Sequence, residues 1–285
     1  MTINIPTARR GSDLRRRLQR ASAPLIVVGV LVVVTSIVFD LSRVWLFGGA
    51  LIVGGLTLLF VRTEQSDREP LVVRPPVRGR WIAINSPATR VPSHGTRELG
   101  QAYAIDLVYA PDPEQVWKPV HRWPPARPAR LFPGFGQPIV APADGVVVAA
   151  SGWQRDHWSR NSPLGLAYLM VEMVIRGLLS MLDGRLVLGN HVVLDLGDGV
   201  FAVLAHLRRG SLRVTSGDRV RAGDVLGECG NSGNTSEPHL HFHLMDRRQP
   251  VIAAGLPFSF DRYEADGEVR SGVPADQQAF VVTDG

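Results

Sequence analysis

The sequence predicts a mainly β domain, an antiparallel sandwich or barrel with one inserted helix, preceded by an N-terminal transmembrane helical hairpin. Three observations lead there. Short apolar strands separated by Gly/Asp turns recur from Arg80 to about residue 260, the rhythm of a β sandwich or barrel. One of these strands, His239-Leu240-His241-Phe242-His243-Leu244, alternates imidazole with apolar side chains. In a strand that alternation puts His239, His241 and His243 on one face and Leu240, Phe242 and Leu244 on the other. Finally, residues 24–39 and 44–61 are two runs without a charge.

In chain order, residues 1–23 form a polar segment with Arg9, Arg10, Arg15, Arg16, Arg17 and Arg20 against Asp13. The apolar runs that follow, residues 24–61 with a break at Asp40-Leu41-Ser42-Arg43, are 16 and 18 residues long. As helices they reach roughly 24 and 27 Å, slightly short of a hydrocarbon core unless flanking residues contribute. They are read as a membrane anchor of one or two spans. Residues 62–79 read as a polar linker broken by Pro70, Pro75 and Pro76. The soluble domain is expected over residues 80–260. Its first strands are 80–84 and 103–108, with the loop Ser93-His94-Gly95-Thr96 between them.

Residues 111–142 hold nine prolines and read as a long surface loop. Pro138 to Val148 reads as strand, turn and strand about Asp144-Gly145. Residues 164–182, rich in Leu and Met, read as a helix inserted into the β domain. Residues 189–196 and 200–207 read as a hairpin about Gly197-Asp198-Gly199. Residues 261–285 are expected to be a frayed, acidic tail.

The net charge is +5 with Lys118 as the only lysine, so the basic character is nearly all Arg. Nucleic-acid binding is set aside, because the Arg are dispersed after residue 20 and no recognition pattern accompanies them. A basic surface equally suits anionic lipid or cell-wall polymer. Cys229 is the only cysteine, so no intrachain disulfide forms.

A catalytic zinc site needs three protein ligands and one open position. Donors able to join the histidine strand are His94, Asp106, His191 and His206. Asp106 interrupts Ala104-Ile105-Asp106-Leu107-Val108, and His206 ends Val203-Leu204-Ala205-His206. Acids inside apolar strands are costly unless paired or bound to metal.

These residues together resemble the lysostaphin- and LytM-type zinc metalloendopeptidases, which cut peptidoglycan peptides. The resemblance covers about residues 80–260. It rests on His94…Asp106, Ala205-His206-Leu207, and the His239-Leu240-His241 strand. Gly217-Asp218-Arg219-Val220-Arg221-Ala222-Gly223-Asp224 and Asn231-Ser232-Gly233-Asn234-Thr235 are also similar to the family. The resemblance implies that His94, Asp106 and His241 hold Zn2+ and that His206 and His239 are the catalytic histidines, with peptidoglycan peptide as substrate. The chain departs from the pattern in two places. Eleven residues separate His94 from Asp106 where the family has three, and His243 stands where Glu or Gln is commoner. His191 and His243 are taken as structural, and His121 and His157 as surface residues. A zinc-free domain of the same fold, serving as a wall-binding or regulatory module, is the alternative. A carrier domain of biotinyl type fits worse, because Lys118 lies in the Pro-rich loop.

The expected location is the cell membrane, with the domain on the extracytoplasmic face. Six Arg ahead of the first run place the N-terminus inside. Two full spans would return the chain to the cytoplasm, and Arg62, Arg68, Arg74, Arg78 and Arg80 agree with that. The substrate implied by the resemblance lies outside, and that decides the expectation.

Overall fold

A computed structural model describes residues 10–39, 41, 43–59, 68–113, 124–169, 172 and 184–283. The chain divides into two compact units, residues 1–65 and 66–285.

The first unit is a pair of helices, α1 (Arg10–Val38) and α2 (Val44–Leu59). Glycines set their contact. A Cβ on Gly29 would stand 2.6 Å from the Gly48 carbonyl oxygen, and one on Gly55 would stand 2.5 Å from that of Ser22. The hydroxyls of Thr35 and Thr57 donate back to the carbonyls of Leu31 and Val53, both at 2.7 Å, and Ser36 donates to Val33 at 2.8 Å. Large apolar side chains, among them Leu31, Ile37, Trp45, Phe47 and Val53, are exposed. The expected transmembrane hairpin is corrected in one respect: among the described residues no helix is long and apolar enough to cross a membrane. The 16 residues of α2 reach only about 24 Å. The 29 residues of α1 include the Arg-rich start and Pro24.

The second unit is mainly β, as expected. Its strands are β1 (Leu71–Val73), β2 (Gly79–Ile84), β3 (Ile105–Tyr109), β4 (Pro138–Val140), β5 (Gly145–Ser151), β6 (Asn190–Gly197) and β7 (Val200–Leu207). There follow β8 (Arg219–Val220), β9 (Val225–Glu228), β10 (Leu240–Met245), β11 (Gly255–Leu256), β12 (Phe258–Ala265), β13 (Glu268–Gly272) and β14 (Ala279–Val282). One large sheet runs β1-β12-β14-β2-β3-β10-β7-β6-β5-β8, and β4 pairs with β9 apart from it. The strand of alternating histidines, β10, lies between β3 and β7, antiparallel to both. Its Leu240, Phe242 and Leu244 are fully buried in the main core with Ile105, Leu107 and Leu204. Phe242 meets Phe258 and Phe260 at ring-centroid distances of 5.1 and 6.0 Å.

Four expectations are corrected. The segment read as linker contains β1, which pairs in parallel with β12, so the sheet is mixed rather than antiparallel throughout. Val73 and Val77 are buried, and the domain therefore begins before residue 80. The segment read as a frayed tail contains most of β12 and all of β13 and β14, with Phe280 and Tyr263 in the core. The strands on either side of Asp144-Gly145 do not form a hairpin, because β4 pairs with β9 and β5 with β6 and β8. The hairpin of β6 and β7 forms as expected. The inserted helix is helical over residues 163–169 and at Glu172. The rest of that expectation, the basic start at residues 1–9, His121, and the middle of the Pro-rich loop lie outside the described residues.

Phe242 sits at the junction of the aromatic cluster with the histidine strand. Phe242→Ala is expected to cost about 3–5 kcal/mol, the usual range for a buried Phe. Urea unfolding of the variant checks this through a lowered midpoint at unchanged slope. An unaltered midpoint contradicts the packing described.

Candidate metal centre

Strand alternation builds the site. Ile105 and Leu107 point into the core, so the carboxylate of Asp106 emerges on the opposite face of β3. Antiparallel register sets His241 directly across from it, on the face that Leu240 and Phe242 do not use. His241 Nδ1 lies 2.9 Å from Asp106 Oδ1, and His94 Nε2 lies 2.9 Å from Oδ2. His94 reaches in from the loop between β2 and β3, where the Ser93 hydroxyl is 3.1 Å from its Nδ1. Ligand atoms of His94, Asp106 and His241 all lie within 4.8 Å of one another. Two imidazoles and one carboxylate, almost entirely buried, are a donor set suited to zinc. The eleven-residue spacing does not keep His94 from Asp106. The connecting segment holds a turn at Glu98–Tyr103 with Leu99 and Gly100 in the left-handed region, φ +56° and +76°, and this folds the extra length away.

His206 joins the same face by a backbone irregularity. Ala205 faces the site opposite His241, and Leu207 faces the core. A regular strand would aim His206 away from the site. Its φ of +63°, uncommon for a residue with a side chain, brings its ring instead to 4.8 Å from that of His239 and 5.7 Å from that of His241. Its Nδ1–H donates to the Ser232 carbonyl at 2.8 Å, which leaves Nε2 as the free nitrogen. His239, just ahead of β10, does the same: Nδ1–H donates to the Glu237 carbonyl at 2.8 Å, and Nε2 lies 3.5 Å from Asp106 Oδ1.

The supporting contacts are not legible in the sequence, although Ser232 and Gly233 lie in the Asn231–Thr235 stretch that carries the resemblance. Asn85, at the end of β2, donates from Nδ2 to Asp106 Oδ2 at 2.9 Å. Asn190 and Ser232 knit the turn behind His206. The Asn190 backbone N–H donates to Ser232 Oγ at 2.9 Å, and both side chains donate to the Leu207 carbonyl. Gly189 and Gly233 close this turn at positive φ, and a Cβ on either would strike the other's backbone or Ser232. The start of the inserted helix is tied to the His239 turn, because Asn161 Nδ2 donates to Glu237 Oε2 at 3.0 Å and Arg160 N–H to the Ser236 carbonyl at 2.6 Å. Nothing in local spacing pointed to these contacts. The one signal available was a run of amides and hydroxyls where apolar strands end.

Electrostatics sort the rings. Burial pushes the Asp106 carboxyl up, but His94 and His239, with hydrogen bonds from His239 and His241, outweigh it and hold the group well below its ordinary 3.8. Burial, reinforced by His239 and His241, holds His206 well below its ordinary 6.5. Burial also lowers His241, and together with His241 it lowers His243. Burial pulls His239 down too, but Asp106 overrides it and the net shift is upward.

The match to known proteins follows this geometry. Residues 171–253 match Peptidase family M23. That stretch carries His206, His239 and His241, while His94 and Asp106 precede it and arrive through β3 and its loop. Over 73 residues the chain is 36% identical to Peptidoglycan DD-endopeptidase ShyA of Vibrio cholerae, which is 25% of this chain and 16% of the relative. It is 41% identical over 73 residues to Glycyl-glycine endopeptidase ALE-1 of Staphylococcus capitis, 25% of this chain and 20% of that one. These stretches therefore span a fifth or less of either relative. The lysostaphin catalytic domain of Staphylococcus simulans overlaps 54% of this chain and 77% of its own at 19% identity, with a TM-score of 0.30, too loose to add an argument. The family match thus rests on residues 171–253 of this chain.

The pKa directions give a sign for stability. His206, His241 and His243 bind protons less readily folded than unfolded. Their stabilising contribution is complete above their ordinary 6.5 and is lost as pH falls below it, where the unfolded chain takes up protons that the fold refuses. His239 works the other way: its contribution is complete below 6.5 and fades as pH rises through its raised value. Asp106 adds a further loss only near or below 3.8. With three rings against one, the thermal midpoint of chelator-stripped protein is expected to fall between about pH 7 and pH 5. A flat or rising midpoint over that interval contradicts the burial of these rings.

Proposed function

We propose that this chain is a peptidase of family M23, a zinc metalloendopeptidase that hydrolyses peptide bonds in the stem peptides or cross-bridges of peptidoglycan. The observation that carries the reading is the convergence of His94 Nε2, Asp106 and His241 Nδ1 within 4.8 Å, flanked by two histidines whose Nδ1 atoms are engaged by carbonyls. The names of the relatives support the substrate class: one is a peptidoglycan endopeptidase and another a glycyl-glycine endopeptidase.

His94, Asp106 and His241 are the proposed ligands. Bound there, zinc supplies Lewis-acid chemistry that makes a water nucleophilic near neutral pH and polarises a carbonyl. His239 Nε2, beside Asp106, is placed to take the proton of the attacking water. His206 presents its own Nε2 on the other side. Burial disfavours its charged form, so this ring would hydrogen-bond the developing oxyanion or protonate the leaving amine only after taking up a proton from solvent at Nε2. The Ser232 and Glu237 carbonyls fix which nitrogen each ring offers.

Zinc content and digestion of purified peptidoglycan, with product masses read out, test the assignment. Asp106→Ala, His241→Ala and His94→Ala are expected to lose zinc. His206→Ala and His239→Ala are expected to keep zinc and lose about 10²–10⁴-fold in turnover. Wild-type protein that takes up zinc but releases no peptide from the wall polymer points instead to a binding or regulatory module.

The reading includes attachment to the cell membrane through the α1–α2 pair, with the domain on the extracytoplasmic side, where peptidoglycan lies. Two features support the lipid contact: exposed Leu, Ile, Phe and Trp side chains on the pair, and Thr and Ser hydroxyls bonded back to their own helices, as apolar surroundings require. Full-length protein should float with membranes. A reporter active only outside the membrane, fused after residue 285, should give signal. A silent reporter in a well-expressed, membrane-bound fusion contradicts the external placement.

A further inference from the structure

His243 takes no part in the chemistry above, yet it is fully buried on the site face of β10. Its Nδ1 lies 3.0 Å from His241 Nε2, and the two rings meet edge-on, with centroids 5.2 Å apart and planes at 75°. The opposite nitrogen of His241, Nδ1, is the one that faces Asp106. His241 is thus gripped at both ends, by a carboxylate inside the site and by an imidazole outside it. The pocket around His243 is shaped for a ring. The Glu98–Tyr103 turn crosses it with Leu99 and Gly100 at positive φ. A Cβ on Gly100 would stand 3.0 Å from the Met245 Cβ and 3.5 Å from His243 Nε2, so a side chain there would crowd the ring. Among the described residues no group meets hydrogen-bond geometry at His243 Nε2.

A neutral imidazole that gives its Nδ1 lone pair to a cation must carry its proton on Nε2. In a buried site that N–H is costly without an acceptor. The acceptor that the structure presents to His241 Nε2 is His243 Nδ1. We propose that His243 is a positioning residue for the metal centre: it accepts the Nε2–H of His241 and so fixes the tautomer and ring orientation in which His241 turns Nδ1 to the metal ion. The inference rests on the zinc reading above and assigns His243 no contact with the ion. Partners of this kind typically change metal affinity by about 10–100-fold when removed.

Zinc affinity of the full-length chain, measured by competition with a chromophoric chelator, tests it. Three proteins are compared: wild type, His243→Phe, which keeps a ring but offers no acceptor, and His243→Gln, which keeps an acceptor. Unfolding of the metal-free proteins is followed in parallel. His243→Phe is expected to bind zinc about 10–100-fold more weakly, and His243→Gln to recover most of the loss. Equal weakening in both variants, or wild-type affinity in His243→Phe, overturns the proposal. Should His243→Phe fail to fold, zinc-loaded wild type decides through nitrogen–nitrogen scalar coupling across the His241 Nε2–H···Nδ1 His243 bond. Its presence is expected and its absence overturns the proposal. Wild type that binds no zinc sinks the metal reading and this inference together. Zinc on wild type with an unaffected His243→Phe sinks this inference alone.

Discussion

The site depends on one pairing, that of β3 with β10. It sets Asp106 opposite His241 on the face the core does not use. An ionised carboxylate buried against the sheet is unfavourable by itself. Here it is surrounded by His94, His239, His241 and Asn85, whose charges and hydrogen bonds outweigh its burial. The same register puts Leu107 against Leu240 and Ile105 against Phe242, so polar convergence and apolar packing are two sides of one alignment. A one-residue slip would bury the imidazoles in the core and expose the aliphatic face, which makes the register self-enforcing.

His206 shows how the site departs from regular sheet geometry. Its left-handed backbone turns a side chain against the alternation of its strand, and the Asn190–Ser232 network holds the turn behind it. That network uses buried amides and hydroxyls with complete hydrogen bonding, which favours a single arrangement over near alternatives. Strain at His206 and satisfied polar contacts beneath it belong together, because a positive φ persists only where its surroundings over-determine it.

The sequence was most legible where the signal was local. Alternation alone located the histidine strand and its two faces, and Gly197-Asp198-Gly199 marked the β6–β7 hairpin. The family pattern brought His94, Asp106, His206, His239 and His241 onto one page, and the structure brings them onto one face. Long-range pairing was not legible. Three residues of β1 have no periodicity to read, and they become a strand only because Phe258, Ser259 and Phe260 lie alongside. The C-terminal strands were hidden by acidic, polar composition, since β13 is largely solvent-exposed. At Asp144-Gly145 the turn chemistry was readable but not the partners, because local residues report that a chain turns and not which strand it joins. For α1 and α2, charge-free length suggested two spans, whereas the glycine contacts between them depend on the geometry of the pair.

The Asp106–His241 contact closes over 135 residues. During synthesis the carboxylate, His94 and the edge of β3 are all made well before β10 exists. Until the histidine strand docks, the chain offers incomplete donor sets, with His94 and Asp106 at one end and the remaining histidines at the other. Contacts of such long sequence separation form late and slowly. The chain is thus timed by its own topology: Asp106 and His241 cannot face one another until β10 has closed against β3.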